Sequence, residues 1–341
     1  MTQARPDTYA ELRLAEGKLL GWDERKKTAS CAVQPRDAEI LTALARYRFL
    51  TTAQIAELWW SGCGMRAVRR RMTQLFEAGL VERFRPQTIR GAFQWTYCLT
   101  SDGFRAAQQS GELPAGLKFT PRRERLFDFR YVIHDLRVNE WVIRYRRLAG
   151  ENVFDWSGPD EALVEPPHKL PQEIPPRPRY DGHIGDIDRR DIRPIQPDAR
   201  LDVIHAKGDL MMFVEYDRTR RVDKNYDKFR RYEAFLTGWW HLAIGGDWQR
   251  PAVVFVCQDQ DHQLRFLRAA DYELVGYCSP YSGGVASHEY PARERILFAL
   301  EEDVHQGGTG AMRVPPWPPD HPKRTRPVHA RRVNLPGLHE D

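Results

Sequence analysis

Apolar residues first recur at helical spacing in Ile40, Leu41, Leu44 and Tyr47, with Asp37 placed to cap that helix. The stretch Leu50-Thr51-Thr52-Ala53-Gln54-Ile55-Ala56-Glu57-Leu58 predicts a second, capped helix, followed by a short turn holding Gly62 and Gly64. A third helix is predicted from about Met65 to Ala78. Val68, Met72, Leu75 and Phe76 form its apolar stripe, and Gly79 is its left-handed terminator. Beyond it the period changes to two: Leu80–Arg85 alternates, a turn falls at Arg90-Gly91, and Phe93–Leu99 returns as a second strand. Residues 36–107 therefore read as one compact unit of three helices and a hairpin, preceded by an arm over 1–35.

Downstream, Pro114 and Pro121 mark a linker, and a helix is predicted from about Arg125 to Leu148. Residues 158–197 are dense in proline and predict a long irregular loop. Two alternating runs, 197–206 and 210–217, flank a Gly208 turn and predict a β-hairpin. A helix over Val222–Leu236 follows, and a third strand is expected to begin at His241 after Trp239 and Trp240, which fill the core. Ala252–Cys257 is uniformly apolar, the mark of a strand covered on both faces. These elements assign residues 122–303 to a second domain. Residues 304–341, rich in Gly, Pro and Arg, are expected to be a disordered basic tail whose Arg324, Arg326, Arg331 and Arg332 add unspecific attraction for phosphate.

Composition narrows the function classes. There is no apolar run long enough to span a membrane and no signal-peptide h-region. The five cysteines lack CxxC spacing, which fits a reducing cytoplasm and gives no zinc site. No phosphate-binding glycine loop, HExxH or GxSxG motif occurs. Of the 52 basic residues 43 are arginine, an excess that codon bias also produces, so only the positions of the arginines are informative.

Within 36–107 there are 11 arginines, no lysine and 6 acids. Three helices followed by a hairpin is the element order of a winged helix-turn-helix. Arg66, Arg69, Arg70, Arg71 and Gln74 fall outside the apolar stripe of the third helix, where a recognition helix meets the major groove of double-stranded DNA. Thr51, Thr52 and Gln54 on the second helix, with Arg83, Arg85 and Arg90 on the wing, complete the expected DNA contacts. A protein–protein module with a solvated arginine face is the alternative.

In the 198–217 hairpin, a two-residue loop puts Asp198, Arg200 and Asp202 on one face with Phe213, Glu215 and Asp217. Four carboxylates around one arginine repel one another unless a cation balances them, and a divalent metal held by oxygen ligands does so. Lys224 and Lys228, one helical turn apart, return a cation to the patch. Carboxylates, a metal and a lysine are the parts of a phosphodiester hydrolase. The bland alternative is the polar outer side of an antiparallel pair. His134 and His205 are read as structural.

Taken in order, Leu50-Thr51-Thr52-Ala53-Gln54-Ile55, Gly79-Leu80-Val81, Tyr97–Gly103, His134–Glu140, Pro197-Asp198-Ala199 and Phe213–Thr219 with Lys228 and Tyr232 resemble the replication-relaxation proteins of bacterial plasmids and integrative elements. The resemblance covers roughly residues 36–257 and implies a second domain similar to the PD-(D/E)xK nuclease core. It makes Asp198 and Glu215 the metal carboxylates, with Mg²⁺ as the cofactor of an active pocket, and Glu140 a candidate helix acid. Asp217 stands where an active nuclease has lysine; either Lys228 from the next helix is the substitute, or the pocket is a nuclease relic that only binds DNA or a partner.

The expected fold is α+β, a winged helix-turn-helix followed by an α/β restriction-endonuclease-like domain and a disordered tail. Three functions stay open. One is a cytoplasmic DNA-binding protein of a mobile element acting in replication, transfer or its regulation, with replication or transfer proteins as partners. Another is a Mg²⁺-dependent endonuclease using Asp198, Glu215, Asp217 and Lys228. The third is a homodimeric transcriptional regulator.

Overall fold

A computed structural model describes residues 21–26, 29–60, 64–85, 87–88, 91–111, 113, 116–122, 129–168, 176–178, 184–186, 191–205, 208–217, 223–279, 287–316 and 330–338. The protein is mixed α/β and divides into two compact units, 1–143 and 144–341.

The first unit contains β1 (Gly21–Trp22), α1 (Pro35–Tyr47), β2 (Leu50–Thr51), α2 (Thr52–Trp59) and α3 (Met65–Glu77). It continues with β3 (Val81–Arg85), β4 (Gln87–Thr88), β5 (Gly91–Ala92), β6 (Thr96–Leu99), α4 (Ser101–Gln109) and the start of α5 (Phe129–Ala149). Its main sheet runs β1-β3-β6-β2, all antiparallel, with β4 and β5 paired at the hairpin tip. The arm expected over 1–35 thus contributes a strand, because Gly21 and Trp22 pair with Arg85 and Phe84.

Helix starts follow side-chain chemistry. Asp37 is not the cap of α1: Gln34 holds that position, and the Asp37 carboxylate reaches back to accept from the Gln34 N–H at 2.7 Å. Thr51 and Gln54 make the same reciprocal box at α2, which begins two residues later than the sequence pattern indicates. After α3, Gly79 takes φ +78°, and the Gly79 and Leu80 N–H groups donate to the Phe76 and Leu75 carbonyls. In α4, Gly103 packs so tightly that a Cβ there would lie 1.9 Å from the Leu80 carbonyl oxygen. Phe49, Phe84, Phe93, Cys98, Val132, Ile133 and Leu136 build a core in this unit, and Asn139 of α5 donates to the Tyr47 and Phe49 carbonyls.

The second unit takes up the end of α5, then β7 (Val153–Ser157), β8 (Pro176–Pro178), β9 (Ile184–Asp186), β10 (Ala199–Val203) and β11 (Leu210–Tyr216). Next come α6 (Asp223–Ala234), a π-helical turn (Phe235–Trp239), α7 (Trp240–Ile244), β12 (Gln249–Cys257) and α8 (Gln260–Glu273). The unit closes with β13 (Tyr277–Ser279), β14 (Ser287–Glu289), α9 (Pro291–Arg295), β15 (Ile296–Leu300), α10 (Glu301–His305), β16 (Gly310–Arg313) and β17 (Arg331–Asn334).

Seven strands form one sheet in the order β17-β16-β15-β12-β11-β10-β7. β11, β12 and β15 pair in parallel, and every other neighbour is antiparallel. Parallel neighbours need crossover segments, so helices cover the middle of the sheet and Ala252–Cys257 is buried on both faces as its composition predicts. Phe229, Tyr232, Phe235 and Trp239 pack with Phe213, Phe255, Phe266 and Phe298 in the larger core.

Three further expectations differ from the observed fold. Trp239 and Trp240 lead not into a strand but through a π-helical turn and a short helix, and the next strand starts at Gln249. The proline-dense loop holds a small β8–β9 ladder. The tail contributes β16 and β17, whose backbone groups complete the sheet edge, so Arg331 and Arg332 belong to a strand. Arg324 and Arg326 lie outside the described residues.

Candidate functional site

On α3 the buried stripe is Val68, Met72, Leu75 and Phe76, which turns Arg66, Arg69 and Arg70 outward as exposed side chains. Among the described residues no carboxylate pairs with these three. Arg71 behaves differently. It donates from Nε to Asp37 Oδ1 at 2.8 Å, from Nη2 to the other Asp37 oxygen and the Ala32 carbonyl, and from Nη1 to Gln74 Oε1 at 2.9 Å. Asp37 is 1% exposed, so Arg71 neutralises a buried charge and ties α3 to the start of α1. The Asp37 hydrogen bond opposes burial and leaves the Arg71 guanidinium more basic than usual.

Several expected DNA contacts therefore have other work. Thr51, Thr52 and Gln54 are buried. The Thr52 hydroxyl donates to the Trp95 carbonyl, and Gln54 Nε2 donates to the Leu136 carbonyl at 2.9 Å and faces Glu140 Oε2 at 3.4 Å. Glu140 accordingly serves this contact in the first unit. Arg83 donates to Asp23 and Thr73 while lying over the Phe76 and Trp95 rings, and Arg85 covers Trp95 at 4.1 Å. Arg90 lies outside the described residues. Trp95 stands one residue before β6 and takes the alternate arginines Arg83 and Arg85 of β3, and the Arg-Phe-Arg alternation is the sequence signal for it.

In the second unit the expected strand parity holds although the loop is longer than two residues. Val203 pairs with Leu210 as the last rung, and Arg200 pairs with Phe213. The acid-bearing face is not uniformly open to water, however. Glu215 and Asp202 are buried, Glu215 beneath Lys228 and Tyr232 of α6, while Asp198 and Asp217 are half-buried. Asp202 pairs with Arg200 at 3.1 Å and lies directly across from Asp155 of β7. The Asp198 carboxylate accepts from the Tyr216 N–H at 2.7 Å, which fixes it at the strand entrance.

Glu215 is held at both oxygens. Lys228 Nζ donates to Oε2 at 2.5 Å and the Tyr232 hydroxyl donates to Oε1 at 2.6 Å. Lys228 and Tyr232 are one turn apart on α6, so one helix face supplies both donors. That i, i+4 spacing is legible in the sequence, and the structure gives Tyr232 its role. Burial raises the Glu215 carboxyl above its ordinary range, opposed by Lys228 and reinforced by Asp198. Burial also works against the Lys228 charge, but Glu215 and Asp198 outweigh it and hold the ammonium well above the usual lysine range. The Tyr232 hydroxyl is pushed up by burial and by Glu215.

This donor set does not fit a divalent metal. A hard cation needs several oxygen ligands, whereas both Glu215 oxygens are engaged and one Asp198 oxygen accepts a backbone N–H. Among the described residues no group of three or more His, Cys, Asp or Glu side chains is arranged to hold a metal ion. Asp217 adds charge near Lys228, while the side chain of Lys224 lies outside the described set.

The profile of the replication-relaxation family matches residues 41–243, more than half of the chain, and spans the α3 arginines and the Glu215–Lys228–Tyr232 centre. The chain belongs to the replication-relaxation family. Neither a curated relative nor a solved structure matches it. Among the described residues, no helix of this replication-relaxation protein is long and apolar enough to cross a membrane.

Proposed function

We propose that this replication-relaxation protein is a double-stranded-DNA-binding protein of a mobile element, acting in replication, transfer or its regulation. Its first unit works as a winged helix-turn-helix. The observation that carries the reading is the exposed Arg66-Arg69-Arg70 row on α3, without carboxylate partners among the described residues. Arginine forks suit guanine edges and phosphates, and the α3 stripe buried on the opposite side gives the helix a fixed presentation. The second unit supplies a nuclease-like scaffold in which the Glu215–Lys228–Tyr232 centre is closed by its own hydrogen bonds.

Two measurements test this. In duplex titrations over a range of salt, Arg69→Ala with Arg70→Ala is expected to weaken binding and flatten the salt dependence; unchanged affinity and slope would remove the assignment of α3. In cleavage assays on supercoiled and linear DNA with Mg²⁺ or Mn²⁺, neither wild type nor Glu215→Ala is expected to cut. Metal-dependent nicking that disappears in Glu215→Ala would instead establish the endonuclease reading, with Lys228 exchanged for a cation at Glu215.

A further inference from the structure

Toward the β15–β17 side of the seven-stranded sheet, arginines gather that no ion pair reaches among the described residues. Register pairs Met312 with Phe298 of the helix-covered core face, so Arg313 stands on the opposite face. Arg331 is the direct cross-strand partner of Arg313 and shares that face. Two like charges at paired positions destabilise a strand pair unless something neutralises them. Arg250 opens β12 and Arg295 ends α9, immediately before β15.

Arg295 is close enough to Arg250 and Arg313 to feel both. Burial lowers its basicity first, and the repulsion from Arg250 and Arg313 adds to this against the opposing pull of Glu294. Its one hydrogen bond among the described residues goes to the neutral Gln249 side chain at 3.4 Å. The Nε groups of Arg250 and Arg313 are buried with no hydrogen-bond partner, and among the described residues no ion pair reaches any of the four arginines. Charged donors in such a position lack their complement. The contrast with Arg293 in the same short helix is direct: Arg293 is filled by Asp271 and three backbone carbonyls.

We propose that Arg250, Arg295, Arg313 and Arg331 form a phosphate-binding face on the second unit that takes the sugar–phosphate backbone of DNA, apart from the α3 arginines of the first unit. The anion chemistry stands on the four guanidiniums alone; only the choice of DNA as its source rests on the DNA-binding reading. Guanidinium forks match phosphate oxygens bidentately, and a bound phosphate relieves the Arg313–Arg331 repulsion. The exposed Arg331 on an edge strand leaves the face open to a long polyanion.

The test compares full-length wild type, R313Q/R331Q, R313K/R331K and R69A/R70A. Without ligand at low salt, R313Q/R331Q is expected to unfold at the same or a higher temperature than wild type, since it loses repulsion; this shows that it folds. Inorganic phosphate is then expected to raise the unfolding temperature of wild type and R69A/R70A beyond that of R313Q/R331Q, any general salting effect being common to all three. The lysine variant, which keeps charge without the fork, is expected to fall between. In duplex binding, R313Q/R331Q is expected to reduce the slope of log affinity against log salt by about 2, one lost phosphate contact per arginine. Equal stabilisation of all variants by phosphate would overturn the site. Selective stabilisation by phosphate with an unchanged duplex slope would overturn DNA as its ligand and leave a free-phosphate site. Failure of R69A/R70A to weaken duplex binding would strike the α3 reading while leaving the phosphate comparison intact.

Discussion

Lys228 Nζ stands 2.5 Å from Glu215 Oε2, joining the face of α6 to the C-terminal end of β11. Glu215 is 3% exposed and its other oxygen is taken by Tyr232, so the acid depends on two donors from one helix. A polar group in this position is costly when one partner is removed, which makes the pair a sensitive reporter of how α6 seats on the sheet.

Lys228→Met should destabilise the protein in a pH-dependent way. Breaking a fully buried pair costs about 3–5 kcal/mol, and a loss of about 2–3 kcal/mol is expected here, since the Lys228 side chain is 39% exposed and solvent screens it. Burial already raises the Glu215 carboxyl, and removal of Lys228 takes away the main opposing influence. An acid raised in the folded state stabilises most below its unfolded value and loses that stability as pH climbs through the folded value. The variant should therefore lose more stability at about pH 8 than at about pH 5. For wild type, the raised Lys228 keeps its contribution at all pH below the ordinary lysine range and loses it only in stronger alkali. Urea unfolding at the two pH values checks both; an equal loss at each would show that Glu215 is not strained by its burial.

Neighbouring arginines on α3 should separate into two classes. Arg71→Ala leaves the buried Asp37 carboxylate short of its cation and should lower stability by about 3 kcal/mol. Arg66→Ala, Arg69→Ala and Arg70→Ala should leave thermal unfolding nearly unchanged, each removing about 1–3 kcal/mol of duplex binding where it meets a base edge. Melting curves beside duplex titrations decide the matter. A stable Arg71→Ala protein with lost binding would return Arg71 to the DNA surface.

Arg293 gives a prediction free of function. Its side chain is 0% exposed, and it joins the end of α8 to the segment after β16 through Leu274, Asp271 and Pro315. Burial lowers its basicity, with Asp271 opposing. Arg293→Met should cost about 3–5 kcal/mol, because several carbonyls and a carboxylate lose their donor together. Chemical denaturation measures it, and a loss near zero would mean that water or a repacked neighbour replaces the guanidinium.

The elements legible in the sequence were those whose period is local. The α3 stripe with its Gly79 terminator, the parity of the Asp198–Glu215 hairpin and the doubly covered strand at Val253–Val256 follow from spacing alone. Facts set by distant partners were not legible. Thr51 and Gln54 have the composition of a surface contact, yet their box is buried beneath Trp95 and Leu136. Arg71 looks like its neighbours in the sequence, and only the fold of α1 brings Asp37 to it. The sequence leaves the acid face open between a metal pocket and a solvent-facing side, because one strand pair cannot show that Lys228 and Tyr232 of α6 will close on Glu215. The Gly/Pro/Arg-rich composition of the tail concealed two strands, since edge pairing needs backbone groups and little side-chain pattern.

Gly103 is set by packing. It lies in the first turn of α4, where the Thr100 hydroxyl caps the helix by accepting from the Gly103 N–H at 3.0 Å and donates to the Gly79 carbonyl at 2.7 Å. That hydroxyl draws the helix start onto the segment after α3, leaving no room for a side chain. A Cβ at residue 103 would lie 1.9 Å from the Leu80 carbonyl oxygen and 3.1 Å from Leu99 Cδ2. The clash falls on backbone, which moves only with β3 or α4. Ala is the better helix former, so propensity alone predicts a gain of up to about 1 kcal/mol for Gly103→Ala. Overpacking costs about 1–3 kcal/mol or more and should win, giving a net loss of stability. Thr100→Ala should cost about 1 kcal/mol by loss of the cap, and in the double variant the two losses should not add, since a loosened helix start relieves the contact. Denaturation of the two single variants and the double measures this coupling, and a neutral or stabilising Gly103→Ala would show that the helix start has room to move.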